Sequence, residues 1–262
     1  MESLVFVALA PIAAILMLVV ALVAWRRRDQ PGGLALVAFS LIEACWLSFD
    51  TLSVAAPSPE ATLRLAQAGF LWCALLGAMW LAFVMEYTER TSRVARMSVA
   101  VLTAWCALYG VLAVTNEAHQ LVWDSWETEV DGDFLVARYT LGPLAWVQTG
   151  FMWVAMLASY GLILWTYAGS SARTRGLSRW IVTGALAPLV LNVLYMLGLL
   201  ELQKDFTPIA MAVSSGAFAL GLARYQFLEL RPVARAALVE ELPEGVLVLD
   251  PENRVADVNP AF

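Results

Sequence analysis

Lysine is almost missing from this 262-residue sequence: Lys204 is the only one among 16 basic residues, and His119 is the only histidine. A lone histidine excludes a histidine-built metal cluster and leaves no Ser/His/Asp combination inside the apolar runs. H-E-x-x-H, G-x-S-x-G and Walker A patterns are missing too, so nothing in the chain reads as a catalytic module. Cys45, Cys73 and Cys106 each fall within an apolar run without C-x-x-C spacing, which points to buried packing residues rather than metal or redox chemistry. Charged residues make up only 15% of the chain. The balance is acidic, with a net charge of −6 and a pI near 4.9, which argues against a nucleic-acid partner. No cofactor or resident metal is expected.

What the sequence has instead is apolar length: 61% of its residues are hydrophobic, and the mean hydropathy is +0.71. A helix that crosses a bilayer needs roughly 20 mostly apolar residues. Runs of that kind extend over Leu4 to Trp25, Leu34 to Ala55, Leu63 to Tyr87, Met97 to Val114, Pro143 to Tyr167, Trp180 to Leu200 and Pro208 to Leu228. They predict an all-α membrane protein, a seven-transmembrane helix bundle over residues 1–228 in the plasma membrane. Glu2 precedes the first run and Arg26, Arg27 and Arg28 follow it, the reverse of a signal peptide. Arg90, Arg93 and Arg96, then Arg173, Arg175 and Arg179, recur on the same side. Only Arg64, Arg138 and Lys204 fall on the other, so the positive-inside rule predicts the N-terminus outside and the C-terminus in the cytoplasm.

The longest connection, residues 115–142, is then extracellular. It carries Glu117, Asp124, Glu127, Glu129, Asp131 and Asp133 beside Trp123 and Trp126. Its carboxylates could hold a cation such as Ca²⁺, although a solvated acidic surface is the plainer reading. Asp131-Gly132 between Trp126 to Val130 and Phe134 to Tyr139 predicts a small β-hairpin cap. Past the seventh run, residues 229–242 have the spacing of an amphipathic helix, with Pro232 in its first turn. Val246 to Leu249 and Arg254 to Val258 read as two strands joined by Asp250-Pro251-Glu252-Asn253. Two strands cannot bury a core of their own, so residues 243–262 are expected to be the start of a domain cut off at Phe262.

Glu43 lies about 14 Å into the second run at 1.5 Å per residue, near mid-bilayer, where an ionisable group is by default a functional candidate. It reads either as a protonated or hydrogen-bonded packing carboxyl or as a ligand, cation or signalling group. Trp46 and Asp50 follow on the same face. Arg64, at a similar depth in the third run, is the expected ion-pair partner of Asp50. Glu86 and Tyr87 are expected to anchor the third run at the cytoplasmic interface. Asn192, four residues after Pro188, is expected to satisfy backbone that the proline frees. Thr207 before Pro208 reads as a helix N-cap.

A retinal protein would need a lysine in its last span, and Thr207 to Leu228 has none. A transporter is the remaining alternative, but seven spans without paired interruptions in two halves speak against it. Leu242-Pro243-Glu244-Gly245-Val246-Leu247-Val248-Leu249-Asp250, Asn253-Arg254-Val255 and Val258-Asn259-Pro260-Ala261 resemble the opening of a PAS domain. Thr115-Asn116 with His119 and Trp123, Pro188 with Asn192 and Tyr195, Asp205-x-Thr207-Pro208, and Arg231-Pro232-x-Ala234-Arg235 together resemble the N-terminal seven-helix sensor region of bacterial and archaeal histidine kinases. The resemblance implies a sensory input module followed by PAS and kinase domains, a homodimer, and a response regulator as the parent protein's partner. The candidates for ligand binding or signalling are Glu43, Trp46, Asp50, Asn116, His119, Trp123, Asn192, Tyr195, Asp205 and Thr207, for a small-molecule or physical stimulus the sequence does not identify.

Overall fold

The computed structural model describes residues 2–168, 186–200, 202, 204–225, 242–249 and 255–262. The chain enters as α1 (Glu2–Trp25), then turns through Gly32 into α2 (Gly33–Val54). Gly32 has φ +82°, and a Cβ there would lie 3.0 Å from the Phe83 ring, so the turn admits glycine and little else. Ser58 caps α3 (Pro59–Cys73), accepting from the Ala61 N–H at 3.3 Å with Pro59 in the first turn. After a break at residues 74–75 the same span continues as α4 (Leu76–Tyr87). Ser92 caps α5 (Arg93–Val114) in the same way, and α6 (Pro143–Tyr167) again starts on a proline. Among the described residues the remaining α-helices are a shorter apolar one, α7 (Leu186–Met196), and α8 (Thr207–Tyr225).

Five helical segments among the described residues are long and apolar enough to cross a membrane: α1, α2, α3 with α4, α5 and α6. The Arg173, Arg175 and Arg179 loop, the start of the sixth apolar run, the end of the seventh and the amphipathic stretch before Leu242 lie outside the described residues. Burial ranks the helices: 56% of the apolar window of α2 is buried against 22% for α5, so α2 is central and α5 peripheral. α2 packs on α1, α3 and α4; α8 packs on α1, and α6 on α4. The main core gathers Phe6, Met17, Leu36, Phe39, Leu47, Trp80, Phe83, Ile163 and Ala212. Outward-facing Ile12, Ile15, Val101 and Val154 stay exposed, as a lipid-facing surface requires.

Between α5 and α6 stand β1 (Trp123–Asp131) and β2 (Phe134–Leu141), an antiparallel pair with Asp131 opposite Phe134. The hairpin is as expected, but its two-residue loop is Gly132-Asp133, one residue later than the D-G signal suggests. Gly132, at φ +65°, takes the first loop position, which wants positive φ. The hairpin crosses the bundle end: the Ser3 N–H donates to Asp131 Oδ2 at 2.9 Å, tying its tip to the start of α1. Its base covers a second core cluster of Ala74, Ala78, Cys106, Tyr109, Val122, Trp123 and Ala145. The other end of the bundle is marked by Arg28 over the Trp25 ring (5.1 Å) and Arg90 over the Trp165 ring (4.2 Å).

Two expectations shift. Tyr87 is no interfacial anchor; it is buried in the core with its ring stacked on Phe83. Of the cysteines only Cys106 is buried, while Cys45 and Cys73 are half-buried; all three are free. At the C-terminal end, β3 (Leu247–Leu249) pairs antiparallel with β4 (Val255–Val258), and the turn joining them lies outside the described residues. Asn259 closes this unit. Its Oδ1 accepts from the Val246 N–H at 2.7 Å and its Nδ2 donates to the Glu244 carbonyl at 2.8 Å.

Candidate functional site

The spacing 43, 46, 50 sets Glu43, Trp46 and Asp50 along the inner face of α2, one helical turn apart. Glu43 is fully buried, and among the described residues neither carboxylate oxygen has a hydrogen-bond partner, nor does the equally buried Ser40 hydroxyl one turn earlier. An unsatisfied carboxyl at the centre of a bundle is a cost that packing alone does not explain. Among the described residues no hydrogen-bond partner supports the packing reading of Glu43, which leaves a protonated packing carboxyl beside the ligand or signalling role.

Asp50 pairs with Lys204, not with Arg64. Arg64 is at a suitable depth, but the rotation of α3 turns Thr62, Ala66 and Gln67 inward and leaves Arg64 exposed. Lys204 reaches Asp50 from the loop before α8, with its ammonium 5.0 Å from the centre of the Phe6 ring. Each partner of the pair is only about 12–13% exposed, so the two charges meet in a largely desolvated place. The next residue, Asp205, starts α8: its Oδ1 accepts from the Thr207 N–H at 2.8 Å, and the first helical turn closes with the Ala210 N–H on the Phe206 carbonyl. The cap is thus the Asp205 carboxylate rather than the Thr207 side chain. Burial pushes the Asp205 carboxyl up to about 6, against the opposing pull of its hydrogen bonds with Thr207.

These groups surround a cavity of about 90 Å³ beneath β2. Five of the ten residues singled out in the sequence line it: Trp46, Asp50, Asn192, Tyr195 and Asp205. Asn192 is not spent on backbone freed by Pro188; its Oδ1 accepts from Trp153 Nε1 at 2.9 Å. By usual measures the space holds several waters or one small organic molecule. The sequence reading missed Lys204, Phe70, Cys73, Tyr109, Tyr139 and Gln148, which also line it. Lys204, as the only lysine, was the available signal. Gln148 had one as well, being an amide within an apolar run. Its Nε2 donates to the Ala74 carbonyl at 3.1 Å, and its Oε1 accepts from Trp105 Nε1 at 2.8 Å. That carbonyl lies at the break between α3 and α4, where the helical ladder leaves it without its usual partner. Burial also pushes the Tyr139 phenol well above its usual range.

Asn116, His119 and Trp123 are not at the cavity. Asn116 clamps the base of the hairpin: its Oδ1 accepts from the N–H groups of Val122 (2.9 Å) and Trp123 (3.1 Å), and its Nδ2 donates to the Trp123 carbonyl at 2.9 Å. His119 Nδ1 accepts from the Leu121 N–H at 3.0 Å, which leaves Nε2 to donate to the Leu112 carbonyl at 3.0 Å. Trp123 is buried, stacked on Trp126 and packed on Phe70. These three hold the cap that roofs the cavity.

Comparison with curated proteins gives no match. The family described as the N-terminal 7TM region of histidine kinase matches residues 9–232, which take in all but the first residues of α1, the other described helices and every residue named at the cavity, and the chain belongs to that family.

Proposed function

We propose that this member of the histidine-kinase 7TM family is the sensory input module of a two-component sensor kinase in the plasma membrane. Residues 1–228 form a seven-span sensor with the hairpin outside, 229–242 a signalling helix, and 243–262 the opening of a PAS domain. The five long apolar segments, with α7 and α8 as the cores of two further spans, support the count. The clustering of Arg28 and Arg90 at the end away from the hairpin supports the orientation. The β3–β4 pair held by Asn259 supports the PAS reading.

The observation that carries the proposal is that the cavity and the first turn of α8 share residues. Lys204 and Asp205 line the cavity, and Asp205 caps the last helix before the cytoplasmic segment. A stimulus that alters the Asp50–Lys204 pair therefore acts on the start of the output helix. α8 can answer with a small shift, because Gly216 lets Leu16 of α1 approach to 2.8 Å of where a Cβ would stand. In a dimer the stretch 229–242 carries that shift to PAS and kinase domains, and the kinase passes phosphate to a response regulator.

The test is ATP-dependent autophosphorylation of the full-length protein in membrane vesicles, together with labelling of a cysteine placed at Asp133 by an impermeant reagent from outside intact cells. Histidine-linked phosphate and external labelling are expected. A reading frame without a phosphoacceptor histidine after Phe262 would contradict the kinase assignment, and a hairpin labelled only from inside would reverse the topology.

A further inference from the structure

The chemistry of the cavity points to one class of ligand. Among the described residues its ionisable carboxylates and amines are Asp50, Asp205 and Lys204, which leaves a surplus of one carboxylate in a poorly solvated space. Five aromatic rings, those of Trp46, Phe70, Tyr109, Tyr139 and Tyr195, contribute to the wall. Aromatic faces beside a surplus carboxylate attract an ammonium ion, through the ring quadrupole and through charge, and give an anion or a neutral polar molecule no such advantage. The chain already places a cation of its own in such a setting: the Lys204 ammonium rests on Asp50 and over the Phe6 ring. Lys204 belongs to the loop that starts α8, so it is a tethered occupant whose removal would be felt by that helix.

We infer that the cavity binds a small organic ammonium cation, which takes the place of the Lys204 ammonium at Asp50 and so frees the start of α8. The inference rests on the sensory reading of this site and names its ligand class. At about 90 Å³, with about 10–15 Å³ for each water-sized occupant, the cavity limits that ligand to roughly seven heavy atoms. Competition with Lys204 also sets a sign that a simple binding pocket would not have, since weakening the internal cation must strengthen the external one.

The test uses the purified full chain in nanodiscs, with thermal midpoint and calorimetry read against ethylammonium, choline, the neutral choline isostere 3,3-dimethyl-1-butanol, and glycine. The two ammonium ions should raise the midpoint at millimolar concentration and the neutral isostere should not. Lys204→Gln should bind them roughly tenfold tighter than wild type. Asp50→Asn leaves Lys204 without its partner and can fail to fold, so the double variant Asp50→Asn/Lys204→Gln is the control. It should bind roughly tenfold more weakly than Lys204→Gln alone. The inference is overturned if neither ammonium ion acts, if the isostere acts equally, if only glycine acts, or if Lys204→Gln leaves affinity unchanged. Its failure is distinct from that of the sensory reading, which stands or falls with autophosphorylation of the full-length protein whatever ligand the cavity prefers.

Discussion

Glu43 and Asp50 lie on one face of one helix, and their surroundings separate them. Asp50 has Lys204; Glu43 has no hydrogen-bond partner for either oxygen among the described residues. Replacing an unsatisfied buried carboxyl by an apolar group of similar volume relieves its desolvation penalty, so Glu43→Met should raise the unfolding free energy of the bundle by about 1–3 kcal/mol. Denaturant unfolding in mixed micelles measures it, and a destabilised variant would mean that Glu43 has a partner the bundle needs. Asp205 makes a prediction of opposite character, in pH. Its carboxyl is raised from 3.8 to about 6 when folded, so on raising pH from 4 to 6 the unfolded chain gives up this proton before the folded one does. The sign of the linkage is then negative: this group's contribution to stability declines as pH rises from about 4 through the folded value of about 6 and levels off only about one unit higher. Asp205→Asn should remove that part of the slope in thermal midpoints recorded between those two pH values.

The elements show which signals in a sequence carry structure and which do not. Apolar length marked the described spans and Pro143 the start of α6, but the third and fourth runs were read from Leu63 and Met97, four residues inside the starts that Ser58 and Ser92 cap, because the first turn of each helix is polar. The break at 74–75 was illegible: Cys73-Ala74-Leu75-Leu76 contains no proline or glycine, and the free Ala74 carbonyl finds a remote partner in Gln148. Depth along a helix was legible for Arg64 and rotation was not, so the counting that put it level with Asp50 did not reveal that it faces outward. Lys204 escaped because a loop residue has no periodicity to read. The hairpin rests on Asn116, whose side chain satisfies two backbone N–H groups and one carbonyl. Asn116→Ala leaves them unmet in a buried place and should destabilise the cap by about 1–3 kcal/mol. Faster amide exchange across β1 and β2 with little change in α1 and α2 would report it, whereas unchanged exchange would mean that the strand ladder suffices.

For the whole molecule, the family of the sensor region was readable from short patterns spread over the chain, and the match over residues 9–232 bears that reading out. Half of the candidate residues meet at one cavity, while Asn116, His119 and Trp123 belong to its roof, a division that spacing along a chain does not reveal. Coupling of this cavity to α8 through the Asp50–Lys204 pair is what the proposed sensing mechanism depends on. Its most direct test is the autophosphorylation rate of the full-length protein in vesicles, compared among wild type, Asp50→Asn, Lys204→Gln and the exchange Asp50→Lys/Lys204→Asp. Removing the attraction should shift the rate several-fold in both single variants, in the same direction, and the exchange should bring it back toward wild type, because the pair's Coulomb attraction survives the swap. Equal rates in all four proteins would contradict the claim.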